Sequence, residues 1–192
     1  MGVLTGRDKE HVCQVERAGM LDSRVRRWLQ DPRRILEPFV RPGMTAIDLG
    51  CGPGFFTLDM ARLAGAGGKV FAVDLQEGML EIVRGKVRGT ELESIVRPHR
   101  CEEDSLNLDG CVAADFALAF YMVHEVPDKE RFFREVFAAL GPGGRFLVVE
   151  PPFHVSKKAF DVTLGFAAAA GFKAQDGPPG VFFSYTALLC KA

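Results

Sequence analysis

The stretch Thr45-Ala46-Ile47-Asp48-Leu49-Gly50-Cys51-Gly52-Pro53-Gly54-Phe55-Phe56-Thr57 joins an apolar run to a glycine-rich turn and the start of a helical pattern. It reads as a strand, a turn and a helix N-terminus. Glycine permits positive φ and lets the backbone approach a ligand where a Cβ would collide. In open α/β sheets ligands sit outside the carboxyl ends of the strands. Gly50, Gly52 and Gly54 therefore mark a candidate binding turn, with a tight ligand-free turn as the plainer alternative.

Two features sharpen this reading. Asp74 closes the apolar run Val70-Phe71-Ala72-Val73-Asp74, twenty residues beyond Gly54. A carboxylate at the end of the second strand can accept both hydroxyls of a ribose; capping a helix is its plainer role. The glycine spacing also departs from the dinucleotide fingerprint Gly-x-Gly-x-x-Gly, because Phe55 lies beyond a third glycine that comes one residue early. Pro53 removes an N–H that a pyrophosphate would use. The turn suits an adenosine ligand without phosphate better than a nicotinamide dinucleotide.

Outward from this turn, strand and helix patterns alternate. Short apolar runs fall at Thr45–Leu49, Lys69–Asp74, 95–100, 115–120 and 145–150. Between them apolar residues recur at helical spacing: Phe56, Met60, Leu63 and Ala64; then Met79, Leu80, Val83 and Val87; then Phe132, Phe133, Val136, Phe137 and Leu140; then Phe160, Leu164, Ala167 and Ala168. Asp128 and Ser156 can cap the last two helices. Gly141-Pro142-Gly143-Gly144 stops the third helix and turns the chain into the next strand. Strands joined by helical crossovers make a parallel sheet. Residues 172–175 and 181–189, with a short Gly/Pro link between them, predict an antiparallel hairpin. Residues 1–40 stand outside the alternation and suggest helices over about 15–29 and 32–40, appended to a domain of residues 41–192.

The chain has 192 residues, 47% hydrophobic and 26% charged, with 24 Lys and Arg against 25 Asp and Glu. That suits one globular domain and excludes disordered, collagen-like and disulfide-scaffold classes. So balanced a charge gives no global pull on nucleic acid or an anionic membrane. Arg24, Arg26, Arg27, Arg33 and Arg34 form either a local basic patch or a solvated helix face. The five cysteines, Cys13, Cys51, Cys101, Cys111 and Cys190, include no Cys-x-x-Cys pair, so neither a zinc site nor a disulfide framework is expected. Reduced thiols fit a cytoplasmic setting. No apolar run approaches the roughly 20 residues of a membrane span.

With these residues in place, the sequence resembles the class I S-adenosylmethionine-dependent methyltransferases from Thr45 to about Leu189. Ile47 to Gly54 looks like the family's first motif and Val73 to Leu80 its second. Cys101 to Leu108 resembles the adenine-contacting loop after strand three, and Leu140 to Phe146 the turn before strand five. The flavour is that of the small-molecule branch that includes ubiquinone/menaquinone C-methyltransferases. The resemblance implies a Rossmann-like, seven-stranded mixed α/β sheet of order 3-2-1-4-5-7-6, strand seven antiparallel, with helices on both faces. It implies S-adenosyl-L-methionine as cofactor, S-adenosyl-L-homocysteine as product and a small-molecule acceptor; from spacing, run length and charge, neither a metal nor a membrane is expected and nucleic acid is not the expected partner. Gly50, Cys51, Gly52 and Gly54 would border the methionine portion and Asp48 would orient its ammonium. Asp74 would hold the ribose and Leu75 pack on adenine. Glu102 and the Glu103 N–H would face the adenine edge, although this chain has Glu102-Glu103 where the common pattern is Asp-Ala. Phe120 and Tyr121 would lie beside the transferred methyl and the substrate.

The candidate base is His124, just past strand four, with Tyr121 as a second catalytic candidate; a structural His124 is the alternative. His11 and His99 read as incidental. Glu150-Pro151-Pro152-Phe153 resembles the Pro-Pro-aromatic signature of amino-group methyltransferases, but that signature belongs after strand four, so it reads here as coincidence. His154 beyond it could line the pocket. Cys13 lacks the cysteine cluster that a thiol or arsenite substrate would call for. The rival functions are a nicotinamide oxidoreductase, disfavoured by Pro53 and Phe55, and a non-catalytic S-adenosylmethionine-binding module. Residues 1–40, with Met20, Leu21, Val25, Trp28 and Leu29 as an apolar face, are expected to form a substrate lid; a helix outside the sheet or in a homodimer contact is the alternative.

Overall fold

The computed structural model describes residues 30–108, 113–176, 181 and 183–192. Met20 to Leu29, His11, Cys13, Cys111, Arg24, Arg26, Arg27 and the Gly/Pro link at 177–180 lie outside them.

Seven strands form one sheet: β1 (Thr45–Leu49), β2 (Lys69–Asp74), β3 (Val96–Arg100), β4 (Ala114–Phe120), β5 (Leu140–Glu150), β6 (Lys173–Asp176) and β7 (Tyr185–Cys190). Their order is β3-β2-β1-β4-β5-β7-β6. β1 to β5 pair in parallel, while β7 runs antiparallel between β5 and β6. The resemblance implied this sheet, down to its antiparallel seventh strand. The Gly141–Gly144 segment, read as a turn ahead of the fifth strand, is instead paired within it. Gly143 N–H donates to the Lys191 carbonyl and Lys191 N–H to the Gly144 carbonyl, so β5 starts directly after the helix.

Five described helices flank the sheet: α1 (Pro32–Leu36), α2 (Thr57–Ala64), α3 (Glu77–Val87), α4 (Lys129–Ala139) and α5 (Lys157–Ala169). Side chains alternate faces along each strand, which divides the core in two. Ala46, Ala72, Phe116, Leu118, Leu147 and Val149 pack with α1, α2 and α3. Ile47, Val73, Ala117, Ala119, Phe146 and Val148 pack with α4 and α5. The expected caps form: Asp128 accepts from Arg131 N–H and Ser156 from Ala159 N–H. In α5 the buried stripe is Phe160, Thr163 and Ala167, while Ala168 is exposed.

The described part of the N-terminal segment runs along the first of these faces. Asp31 caps α1 and Pro32 opens it. Ile35, Leu36, Phe39 and Val40 are buried against the α2 side of the core. Phe39 stacks on Phe116 with ring centroids 5.3 Å apart. Arg145 lies 5.4 Å over the Phe39 ring and donates to its carbonyl at 2.9 Å. Arg33 is exposed and ion-paired with Glu37, as a solvated helix face would be. No described helix is long and apolar enough to cross a membrane.

Because Phe39 fills core between α1 and β4, Phe39→Ala is expected to cost about 3–5 kcal/mol of stability. Urea denaturation checks this; a loss below about 1 kcal/mol would show that the segment adds little to the core.

Candidate active site

β1 lies between β2 and β4, so the crossovers leave it in opposite directions. Such a switch point opens a crevice at the carboxyl ends of the strands. A cavity of about 570 Å³ occupies this position, within the usual size of a small-molecule site. Its wall brings together Asp48, Gly50, Cys51, Gly52, Asp74, Leu75, Glu102, Glu103, Phe120, Tyr121 and His124. Gly54 is not on the wall.

The first turn is fixed from below. Gly50, Gly52 and Gly54 all have positive φ, at 65°, 52° and 88°. A Cβ on Gly50 would lie 3.0 Å from Met122, and one on Gly54 would lie 3.2 Å from Val83 Cγ2. Gly54 thus serves the turn's conformation and the approach of α3 rather than ligand space. The Asp74 carboxylate ties this turn to β2: Gly52 N–H donates to its Oδ2 at 2.8 Å and Gln76 N–H to its Oδ1 at 2.9 Å. Leu75 N–H also bonds this carboxylate, and its remaining lone-pair capacity can meet a ligand hydroxyl. Burial raises the Asp74 pKa, and the backbone N–H bonds oppose that rise. Asp48 is buried and accepts from Thr57 Oγ1 at 2.5 Å.

The loop after β3 forms the next wall. Glu102 and Glu103 are exposed at its rim. Glu102 N–H donates to the Ser105 carbonyl at 2.8 Å. Glu135, on α4, gathers the loop by accepting from Leu106 N–H at 2.6 Å and from the Ser105 hydroxyl at 3.2 Å. Arg131 pairs with Glu135 at 2.9 Å and Asp104 at 3.2 Å. Nothing in the sequence singled out Glu135; on a helix of mixed charge it reads as solvent face.

From the glycine turn a run of aromatic rings leads outward. Phe55, Phe56, Phe120, Tyr121 and Phe153 follow one another at centroid distances of 5.1, 4.5, 4.5 and 6.4 Å. Tyr121 has φ 62°, an uncommon conformation for an aromatic residue. It is held by its N–H to the Val149 carbonyl at 2.8 Å. Its hydroxyl meets Gln30 Nε2 at 2.8 Å and the Ser184 hydroxyl at 2.7 Å. The turn Val123–Glu125 then carries His124 onto the cavity wall.

Glu150, set aside in the sequence with its Pro-Pro-aromatic run, lies in this group. It is 1% exposed, and His124 Nδ1 lies 2.5 Å from its Oε2. His124 N–H reaches its Oε1 at 3.3 Å. The hydrogen bond to Glu150 pushes the His124 imidazole above its ordinary pKa, against the effect of burial. Burial pushes the neighbouring Glu125 carboxyl up to about 7. The exposed His154 stacks on His124 at 5.8 Å. His99 instead bonds the Leu106 carbonyl. Burial raises both wall thiols, Cys51 strongly and Cys101 to about 11, which leaves them protonated and poor nucleophiles.

Comparison with known proteins identifies the family. The family described as a methyltransferase domain matches residues 41–173. The ubiquinone/menaquinone biosynthesis C-methyltransferase UbiE of Cronobacter sakazakii is 35% identical over 129 residues, 64% of this chain and 49% of that protein. The chain thus spans about half the length of the curated relatives it matches. A SAM dependent methyltransferase from Aquifex aeolicus superposes with TM-score 0.83 at 24% identity, covering 94% of this chain and 100% of that one. Aeropyrum pernix fibrillarin, solved with natively bound S-adenosyl-L-methionine, gives TM-score 0.62 at 15% identity over 79% of this chain and 68% of that one.

The turn geometry yields a stability prediction. Gly54→Ala places a Cβ against Val83 at a φ that L residues rarely adopt, and is expected to cost about 1–3 kcal/mol. A denaturation midpoint equal to wild type would contradict the account.

Proposed function

The chain belongs to the class I S-adenosylmethionine-dependent methyltransferases, and from that premise we propose that it binds S-adenosylmethionine at the β1 turn and methylates a small-molecule acceptor at the His124 end of the cavity. The observation that carries this reading is the Asp74 carboxylate, buried on the wall, held by the backbone N–H groups of Gly52, Leu75 and Gln76 and aligned with the glycine turn. S-adenosylmethionine supplies a sulfonium-bound methyl carbon already activated for displacement. Asp74 holds the ribose, Leu75 packs on adenine, and Glu102 with the Glu103 N–H meets the adenine edge. Gly50, Cys51 and Gly52 border the methionine portion, with Asp48 toward its ammonium. Phe120 and Tyr121 exclude water beside the acceptor, and proximity does most of the catalytic work. The likeness to UbiE favours carbon methylation of a reduced quinone or a related hydroxyl-bearing ring.

We propose that the N-terminal segment, residues 1–40, covers the acceptor; its part before Gln30 lies outside the described residues. Support comes from Gln30, whose side chain bonds the hydroxyl of Tyr121 on the cavity wall. Phe153, in ring contact with Tyr121, is 72% exposed there.

Two outcomes are expected. S-adenosylmethionine and S-adenosylhomocysteine bind in the micromolar range by calorimetry, about −8 kcal/mol. Asp74→Ala weakens both by roughly 1.5–3 kcal/mol, as charge-assisted hydrogen bonds are lost. No binding to wild type, or equal affinity in the variant, would remove the reading. Deleting residues 1–29 is expected to retain cofactor binding and to abolish methyl transfer to the hydroquinones that wild type accepts; full activity of the shortened chain would refute the lid.

A further inference from the structure

A buried carboxylate in direct contact with a cavity-lining imidazole asks for a reason. Glu150 ends β5 and is almost fully buried; His124 reaches it from the turn after β4. The β4–β5 register, with Phe120 opposite Val149, delivers the two groups to the same level at the carboxyl end of the sheet. Glu150 grips His124 twice, at Nδ1 and at the backbone N–H. One contact aims the ring and the other aims the turn that carries it. The second ring nitrogen, Nε2, lies 3.9 Å from Glu125 Oε1, beyond hydrogen-bond range. His154 covers one face of the ring.

We propose that Glu150 is a positioning residue: it fixes the His124 ring with the proton on Nδ1, so that Nε2 is bare toward the cavity and takes a proton from a hydroxyl of the acceptor. This rests on the function proposed above and names the acceptor class, a phenol or enol whose anion is the nucleophile. The proton passes from the acceptor oxygen to Nε2. The acceptor carbon or oxygen then bonds the methyl carbon as the carbon–sulfur bond breaks, its electron pair going to sulfur, which becomes neutral. On the carbon route the methylated ring carbon then loses its own proton to bulk water and the acceptor oxygen regains the proton held on Nε2; on the oxygen route the proton on Nε2 leaves to solvent. The net change is replacement of one acceptor hydrogen by methyl with release of one proton. An acceptor without an ionisable hydroxyl would make this pair superfluous.

Histidine tautomers are set by the partner of the other ring nitrogen, and a carboxylate that orients an imidazole is how a triad base is kept in its working form. The charged groups facing His124 are Glu150 from β5, Glu125 in its own turn and Lys129 at the start of α4, with the titratable His154 beyond β5. Glu150 dominates and favours the protonated ring. The base form therefore appears only as pH rises through a titration above the ordinary histidine range, and activity rises with it.

The test uses the full chain without acceptor first. Nitrogen-15 NMR of wild type, assigned by loss of the signals in His124→Gln, reads the tautomer and the titration of His124. The expected result is a ring that titrates above the ordinary histidine range and carries its proton on Nδ1 on the alkaline side. A proton on Nε2 there, or a ring that stays cationic until the protein unfolds, would overturn the proposal. In Glu150→Gln the titration should move to lower pH. With 1,4-naphthoquinol as acceptor, the pH–rate profile should move with it and kcat should fall by about 10–10²-fold, while S-adenosylhomocysteine affinity stays at the wild-type value. An unmoved profile would make Glu150 merely structural. Loss of S-adenosylhomocysteine binding in wild type would instead fail the underlying function, so the two failures are distinct. If naphthoquinol is not methylated, the NMR result alone decides the positioning role.

Discussion

The Asp74 carboxylate is the joint on which the site depends. It stands at the end of β2, yet one oxygen receives the Gly52 N–H of the first turn and the other the Gln76 N–H that opens the way into α3. Two crossover connections are thereby locked to one charged group. The same group is kept partly out of water, so a ligand hydroxyl offered to it meets a strong acceptor already fixed in place. The positive φ of the glycines, the close approach of Val83 and the bond from Cys51 N–H to the Val73 carbonyl all serve that placement. Without the turn, Asp74 would be a helix cap; with it, two strand ends and a helix frame one cavity.

A second physical theme is the handling of buried charge. Asp48 is matched by Thr57, and Glu150 by His124. Glu135, only half-buried, gathers the Ser105–Leu106 backbone and Arg131. A buried carboxylate without donors is costly, so each of these groups dictates the position of its neighbours. The result is a cavity with stiff polar points on its wall and a run of aromatic rings from Phe55 outward to Phe153. That division of labour suits a reaction in which alignment and water exclusion matter most and proton removal is a single local act.

Much of this was legible in the sequence because it is local. The period of the apolar residues marked β1, β2 and the stripes of α3 and α4, and the caps Asp128 and Ser156 stood at their expected places. The glycine turn and Asp74 were visible because their spacing is short and their chemistry unusual. Other features were hidden for a physical reason. Glu150 and His124 are 26 residues apart and meet only through the β4–β5 register. Glu135 looks like a solvent-facing helical residue until the loop after β3 folds onto it. Tyr121 at φ 62° is a conformation that composition cannot announce. Gly54 was readable as a turn glycine, but its service to Val83 rather than to ligand space needed the packing of α3.

The central claim is that one cavity at the carboxyl ends of β1, β2 and β4 receives the cofactor at its Asp74 end and the acceptor at its His124 end. A crystal structure with S-adenosylhomocysteine tests it most directly. The account predicts both ribose hydroxyls on Asp74, adenine beside Leu75 and the sulfur on the side of Phe120 and Tyr121. A ligand lodged elsewhere, or one whose ribose makes no contact with Asp74, would contradict it.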